Sequence, residues 1–139
     1  MNIDGVNTGV VVDHIKAGKS MQIYKLLGLG KLDCCVAIIQ NADSEKYGKK
    51  DIIKVDGNIS LDFDILGYID SNITVNIVKN GELEKKVHLD LPERLSDVIK
   101  CKNPRCITSI EQEIPHKFKL VDRKKKVYRC IYCDAEFTE

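Results

Sequence analysis

Ile73-Thr-Val-Asn-Ile-Val78 alternates apolar and polar residues. Asn80-Gly81 follows, and Leu83-Glu-Lys-Lys-Val-His-Leu89 alternates again. Strict alternation puts every second side chain on one sheet face. Asn-Gly is the preferred pair for a tight hairpin, because both residues tolerate positive φ. The stretch therefore predicts two antiparallel strands. Ile73, Val75 and Ile77 face a core, and Thr74, Asn76 and Val78 face away.

Upstream, Thr8 to His14 is β-branched and reads as a first strand. Ser20 is a candidate cap for a helix over Met21 to Leu29, stopped near Gly28 or Gly30. Cys34 to Gln40 is a short apolar run suited to a central strand, and Asn41 to Gly48 reads as a turn. Lys50 to Val55 is a third strand, with Ile53 and Val55 inward and Ile52 and Lys54 outward. Ser60 then caps a helix over Leu61 to Tyr68. The order β-α-β-β-α-β plus one strand predicts a ferredoxin-like α+β domain, an antiparallel sheet with both helices on one face. The uncovered face gathers Lys54 and Asn76, joined by Lys86 if the hairpin register allows it. Scattered Lys and Asn on a solvated sheet face are the bland alternative.

The chain has 139 residues, with Lys+Arg 22 against Asp+Glu 21, a formal +1. This near balance is not the footprint of a dedicated nucleic-acid binder. The amino terminus lacks the regions of a signal peptide, and the longest apolar run, Cys34 to Ile39, is far too short to span a membrane. A cytoplasmic location is expected, so the cysteines should be reduced. Charge divides along the chain: 11 Lys/Arg against 13 Asp/Glu in residues 1–92, and 11 against 8 in 93–139. Asp90-Leu-Pro-Glu-Arg-Leu95 separates the parts, placing two domains at 1–95 and 96–139.

The second part carries Cys101-Lys-Asn-Pro-Arg-Cys106 and Cys130-Ile-Tyr-Cys133. Two short loops, each supplying two thiolates, form a tetrahedral site for structural Zn²⁺ with no place left for a catalytic water. The residues between fit a hairpin, Ile107 to Phe118 and Val127 to Cys130, making a small all-β domain. A segment this small needs the metal to fold. Iron or redox thiols are the alternatives. The basic run Arg123 to Lys126 reads as a solvated hairpin tip. Cys34 and Cys35 point to opposite strand faces and read as packing residues. His88 and His116 have no evident partner. No nucleophile–base pairing or metalloprotease motif is present, so the chain offers no catalytic residues.

Together, Gly9-Val-Val-Val-Asp13-His14-Ile15, Gly48-Lys-Lys-Asp-Ile-Ile-Lys54, Thr74-Val-Asn76, Leu91-Pro-Glu-Arg94 and the cysteine pattern resemble the regulatory chains of aspartate carbamoyltransferase. The resemblance implies a non-catalytic subunit that binds ATP and CTP and modulates a separate catalytic chain in pyrimidine biosynthesis. It also implies a regulatory dimer, within an assembly of two catalytic trimers and three such dimers. By position it assigns nucleotide contacts to Ile3, Asp4, Val6, Asp13, His14, Lys54, Asn76 and Lys86. Asn103, Arg105, Tyr132 and Asp134 become the contacts to the catalytic chain. Neither nucleic acid nor membrane is an expected partner. A zinc-ribbon nucleic-acid binder with an accessory domain remains the competing reading; it requires affinity that falls steeply with salt.

Overall fold

The computed structural model describes residues 5–45 and 48–137, and the chain divides into two compact units, Met1–Asp90 and Leu91–Glu139. The division falls slightly before residue 95 because Arg94–Ser96 already pairs within the second unit's sheet.

The first unit contains β1 (Gly9–Lys16), α1 (Ser20–Leu26), a 3-10 turn (Leu29–Lys31), β2 (Cys35–Ser44), β3 (Gly48–Asp56), α2 (Phe63–Ile69), β4 (Thr74–Lys79) and β5 (Glu82–His88). The five strands form one sheet in the order β2-β3-β1-β4-β5, with every neighbouring pair antiparallel. This is the expected ferredoxin-like order with a strand added at the edge. Asn80 and Gly81 both take positive φ at the β4–β5 turn, as their pairing predicts. Val10, Val12, Ile53, Val55, Ile73 and Val75 pack on Ile23 of α1 and on Leu66 and Ile69 of α2. Val6, Val11, Ile52 and Val78 make a separate small cluster on the opposite face. The in-and-out parity expected for β3 and β4 therefore holds.

Three local expectations are corrected. The Cys34-to-Gln40 run forms β2, which is an edge strand rather than a central one, and it extends to Ser44. Its apolar composition suited burial, but strand order is set by pairing partners far along the chain. Cys35 is consequently exposed, while Cys34 lies half-buried against Gly57. Ser20 lies inside α1 and is buried; Lys19 occupies the cap and makes no side-chain cap bond. For α2 the cap is Asp62, whose carboxylate accepts the Asp64 and Ile65 N–H groups, so Ser60 is not needed there.

A buried carboxylate holds the irregular end of the sheet. Both β1 and β2 break register, β1 between Val12 and Ile15 and β2 between Ile39 and Ala42, with His14 and Asn41 at positive φ. Such bulges leave amide donors unpaired. Asp51 lies between them and accepts N–H bonds from Gly18 (3.1 Å), Ser20 (3.3 Å) and Asn41 (3.0 Å). The β1 bulge returns Ile15 to the core while Asp13 stays on the opposite face.

The second unit is a three-stranded sheet, β6 (Arg94–Ser96), β7 (Lys117–Asp122) and β8 (Val127–Cys130), with a short helix α3 (Ile107–Ile110). The helix corrects the expected strand over Ile107 to Phe118, of which only Lys117 and Phe118 are in β7: the first cysteine loop ends in a helical turn, and Thr108 is buried beside Cys106. Leu95, Phe118, Tyr128 and Cys130 are buried, and Phe118 meets Phe137 edge to face at 5.9 Å. The Tyr128 hydroxyl donates to the Pro92 carbonyl at 2.6 Å. No helix among the described residues is long and apolar enough to cross a membrane.

Candidate effector face and metal centre

Register on the helix-free face brings distant residues into one line. Ala37 of β2 lies opposite Lys54 of β3, Lys54 opposite Val11 of β1, Val11 opposite Asn76 of β4, and Asn76 opposite Lys86 of β5. Three of the expected contact residues thus share a single row across the sheet. Beside it, Asp13 lies opposite Thr74, and Thr74 opposite His88. Val6 packs below this face with Val11, Ile52 and Val78. Ile3 and Asp4 lie outside the described residues.

Asn76 is 1% exposed, and its amide nitrogen donates to the Val11 carbonyl at 3.4 Å. Its Oδ1 is buried and has no hydrogen-bond partner among the described residues. A buried acceptor left unmet costs about 1–3 kcal/mol. Such an atom is suited to a donor that arrives with a ligand.

Asp13 is also 1% exposed, with Lys50 2.9 Å away and the His14 N–H 2.6 Å away. Burial opposes its charge, but the Lys50 ammonium and the His14 N–H hold its carboxyl below the ordinary value. Both contacts fall on Oδ1. His14 Nδ1 lies 2.9 Å from Thr74 Oγ1. The sequence reading missed Lys50, Thr74 and His88. Lys50 was legible by parity, standing two positions before Ile52 and four before Lys54. Thr74 and His88 required the cross-strand register.

In the second unit Cys101, Cys106, Cys130 and Cys133 converge, with all four sulfurs within 4.8 Å of one another. The closest pairs are Cys101–Cys133 at 3.6 Å and Cys106–Cys130 at 3.7 Å. Four sulfurs at the ~2.3 Å zinc–thiolate bond length on a tetrahedron are about 3.8 Å apart, so the cage fits that ion. Amide N–H groups turn toward the sulfurs: Asn103 toward Cys101, Thr108 toward Cys106, Tyr132 and Cys133 toward Cys130, and Ala135 toward Cys133. The Thr108 hydroxyl adds a bond to Cys106 at 3.1 Å.

These donors favour thiolates, whereas burial and proton sharing oppose them. Burial works against ionisation of Cys106, yet the Thr108 donors bring it down to about 7. Burial, with Cys133 and Cys106 as neighbours, pushes Cys101 up to about 12. Four thiolates cannot ionise together without a cation between them. Outside the cage, the Cys101 N–H donates to His116 Nδ1 at 3.0 Å, which anchors the loop entry.

Asn103 and Arg105 lie in the first cysteine loop and Tyr132 and Asp134 at the second. The Asn103 side chain reaches Cys133, and its Oδ1 accepts the Arg105 N–H at 3.1 Å. Tyr132 is exposed, and Asp134 holds a positive φ.

Comparison with known proteins matches both units. Residues 1–90 match the family model of the allosteric domain of the aspartate carbamoyltransferase regulatory chain. Residues 93–139 match the model of its metal binding domain. The aspartate carbamoyltransferase regulatory chain of Clostridium botulinum (strain Hall) is 49% identical over 138 residues, covering 99% of this chain and 94% of the relative. That of Clostridium acetobutylicum is 48% identical, covering 96% and 92%. That of Bifidobacterium longum is 39% identical, covering 98% of each.

Proposed function

Because this chain belongs to the family of aspartate carbamoyltransferase regulatory chains, we propose that it binds ATP and CTP on the helix-free face of its first unit and adjusts a catalytic chain docked on its second. The pathway is then pyrimidine biosynthesis, in the cytoplasm. The observation that carries the reading is the unmet Asn76 Oδ1, in one row with Lys54 and Lys86. Adenine and cytosine both carry an exocyclic amino group, the donor that oxygen lacks. Lys54 and Lys86 supply positive charge to the ribose and triphosphate oxygens. Asp13 keeps Oδ2 for a ribose hydroxyl, its other oxygen being held by Lys50 and the His14 N–H. Val6 adds apolar floor, and Ile3 and Asp4 complete the base contacts.

The metal is zinc, one per chain, held by Cys101, Cys106, Cys130 and Cys133. When bound it supplies four coordinate bonds to a unit with a small core, and a filled shell leaves it no catalytic role. The metal-fixed loops present Asn103, Arg105, Tyr132 and Asp134 to the catalytic chain. A second copy pairs along β2, an apolar edge strand. The other edge, β5, carries Glu82, Glu84, Lys85 and Lys86, which blunt it. Dimers of this kind join two catalytic trimers, three dimers to an assembly.

Calorimetry on the assembled enzyme tests the nucleotide reading. Lys54→Ala weakens ATP and CTP by about 1.5–3 kcal/mol, the scale of a lost charge-assisted hydrogen bond. Asn76→Ala weakens both as well. No heat of binding at millimolar nucleotide in the unsubstituted enzyme refutes the reading.

A further inference from the structure

The outer face of the second unit's sheet carries a row of cations, two of which also touch Asp134 at the second cysteine loop. Arg94 of β6 lies directly opposite Lys119 of β7, and Lys119 directly opposite Arg129 of β8. The residues on either side of the row in sequence, Leu95, Phe118 and Cys130, form the buried face. Like charges directly opposite on a sheet destabilise it. Here two such pairs share one row. Arg94 makes no ion pair among the described residues. Lys119 reaches Asp134 only at 3.6 Å and Arg129 reaches Glu136 only at 3.9 Å, both too long for a hydrogen bond. Arg94, Lys119 and Arg123 also line a shallow groove, with Glu93 beside them and the exposed Val121 as an apolar wall. Arg123 is directed there by a bond from its Nη1 to the Leu91 carbonyl.

The geometry points to a second docking surface, in which Arg94, Lys119 and Arg129 receive carboxylates of the catalytic chain beside the cysteine loops. This rests on the proposed docking of that chain on the second unit. Continuity supports it: Asp134, a residue of the proposed loop contact, faces Lys119 and accepts a bond from Arg129 through its carbonyl at 2.9 Å. The surface fits a protein better than a nucleic acid. Arg beside apolar surface is typical of protein interfaces, no aromatic ring lines the groove for base stacking, and Glu93 repels phosphate.

The experiment measures association of the full-length chain with its cognate catalytic trimer from low to high salt. The Arg94→Glu/Lys119→Glu variant is compared with the unsubstituted chain, and Arg94→Gln/Lys119→Gln provides a form without reversed charge. Bound metal and circular dichroism establish that each is folded. The expected result is association slowed roughly tenfold or more in the Glu variant at low salt, less in the Gln variant, with the difference closing at high salt. Equal rates and equal salt dependence in all three overturn the inference while leaving the loop contact standing. Failure of the unsubstituted chain to bind the trimer refutes the underlying reading instead. Binding of an oligonucleotide that the Glu variant abolishes assigns the row to nucleic acid and overturns the inference.

Discussion

Asp51 shows how one side chain sets local geometry. Two amides from the β1–α1 turn and one from the β2 bulge converge on its carboxylate, and no cation is needed to keep it charged. Burial opposes ionisation, but the donors from Ser20, Asn41 and Gly18 outweigh it and hold its pKa below 3.8. A carboxyl depressed in the folded state stabilises the fold above the unfolded value and loses that contribution as pH falls through the folded one. The stabilisation is therefore complete above about pH 5 and is lost progressively as pH falls below about 4 and through the depressed folded value. Asp13, likewise depressed, adds to the same slope. Asp51→Asn, which exchanges an acceptor for a donor, should cost about 1–3 kcal/mol at neutral pH. Urea unfolding at several pH values checks this: the variant's midpoint should change less between pH 6 and pH 3 than that of the unsubstituted chain. Little of this was visible in the sequence. Asp51 lies inside an alternating strand, and the amides it serves come from the β1–α1 turn and the β2 bulge, which the sequence does not bring together. The cysteines were fully legible, because their spacing is local and their chemistry admits few uses. Lys54 and Asn76 were legible by parity, whereas the Lys50–Asp13 pair needed a fold in which β1 and β3 are neighbours.

Elements were read more reliably than their ends or their neighbours. Hairpin β4–β5 followed from Asn80-Gly81, and the two helices from their apolar spacing. Caps were misassigned because serine and aspartate compete for the same role, and Asp62 lies closer to the start of α2 than Ser60 does. The composition of β2 suits a central strand, yet its edge position gives that composition a use. If a second copy covers β2, a lysine on its exposed apolar face should block pairing. Ile39→Lys is expected to shift the regulatory chain from dimer to monomer in sedimentation velocity; an unchanged dimer would place the pairing elsewhere. The second unit has a small core around a four-cysteine cage, and its folding is expected to depend on the metal as the first unit's does not. Cys130→Ser removes one ligand and should unfold residues from Leu91 onward, leaving the first unit's sheet intact. Hydrogen exchange resolved by peptide checks both halves of that statement. Elemental analysis of the unsubstituted chain should give one zinc per chain.

At the scale of the whole molecule, the proposed effector face and the proposed docking loops belong to separate compact units, each with its own core. A nucleotide bound to the first unit can influence a catalytic chain held by the second only by favouring one arrangement of the assembly over another. The size of its effect is bounded by the difference between its affinities for those arrangements, however tightly it binds to either. Couplings of this kind are typically about 1–3 kcal/mol, or roughly 5–150-fold in affinity. Linkage then fixes a relation that no choice of mechanism can evade: if CTP changes the affinity of a bisubstrate analogue by some factor, the analogue must change the affinity of CTP by the same factor. Both dissociation constants are measurable by calorimetry on the assembled enzyme, each with and without the other ligand at saturation. Lys54→Ala is expected to lower CTP affinity in every state and thus to leave the factor nearly unchanged, since Lys54 lies on the effector face and not at the docking loops. Loss of the docking contacts through Tyr132→Ala should do the opposite, leaving CTP bound while the factor falls toward one. A nucleotide that binds tightly while the analogue's affinity stays fixed would make this chain a scaffold for its catalytic partner and not its regulator.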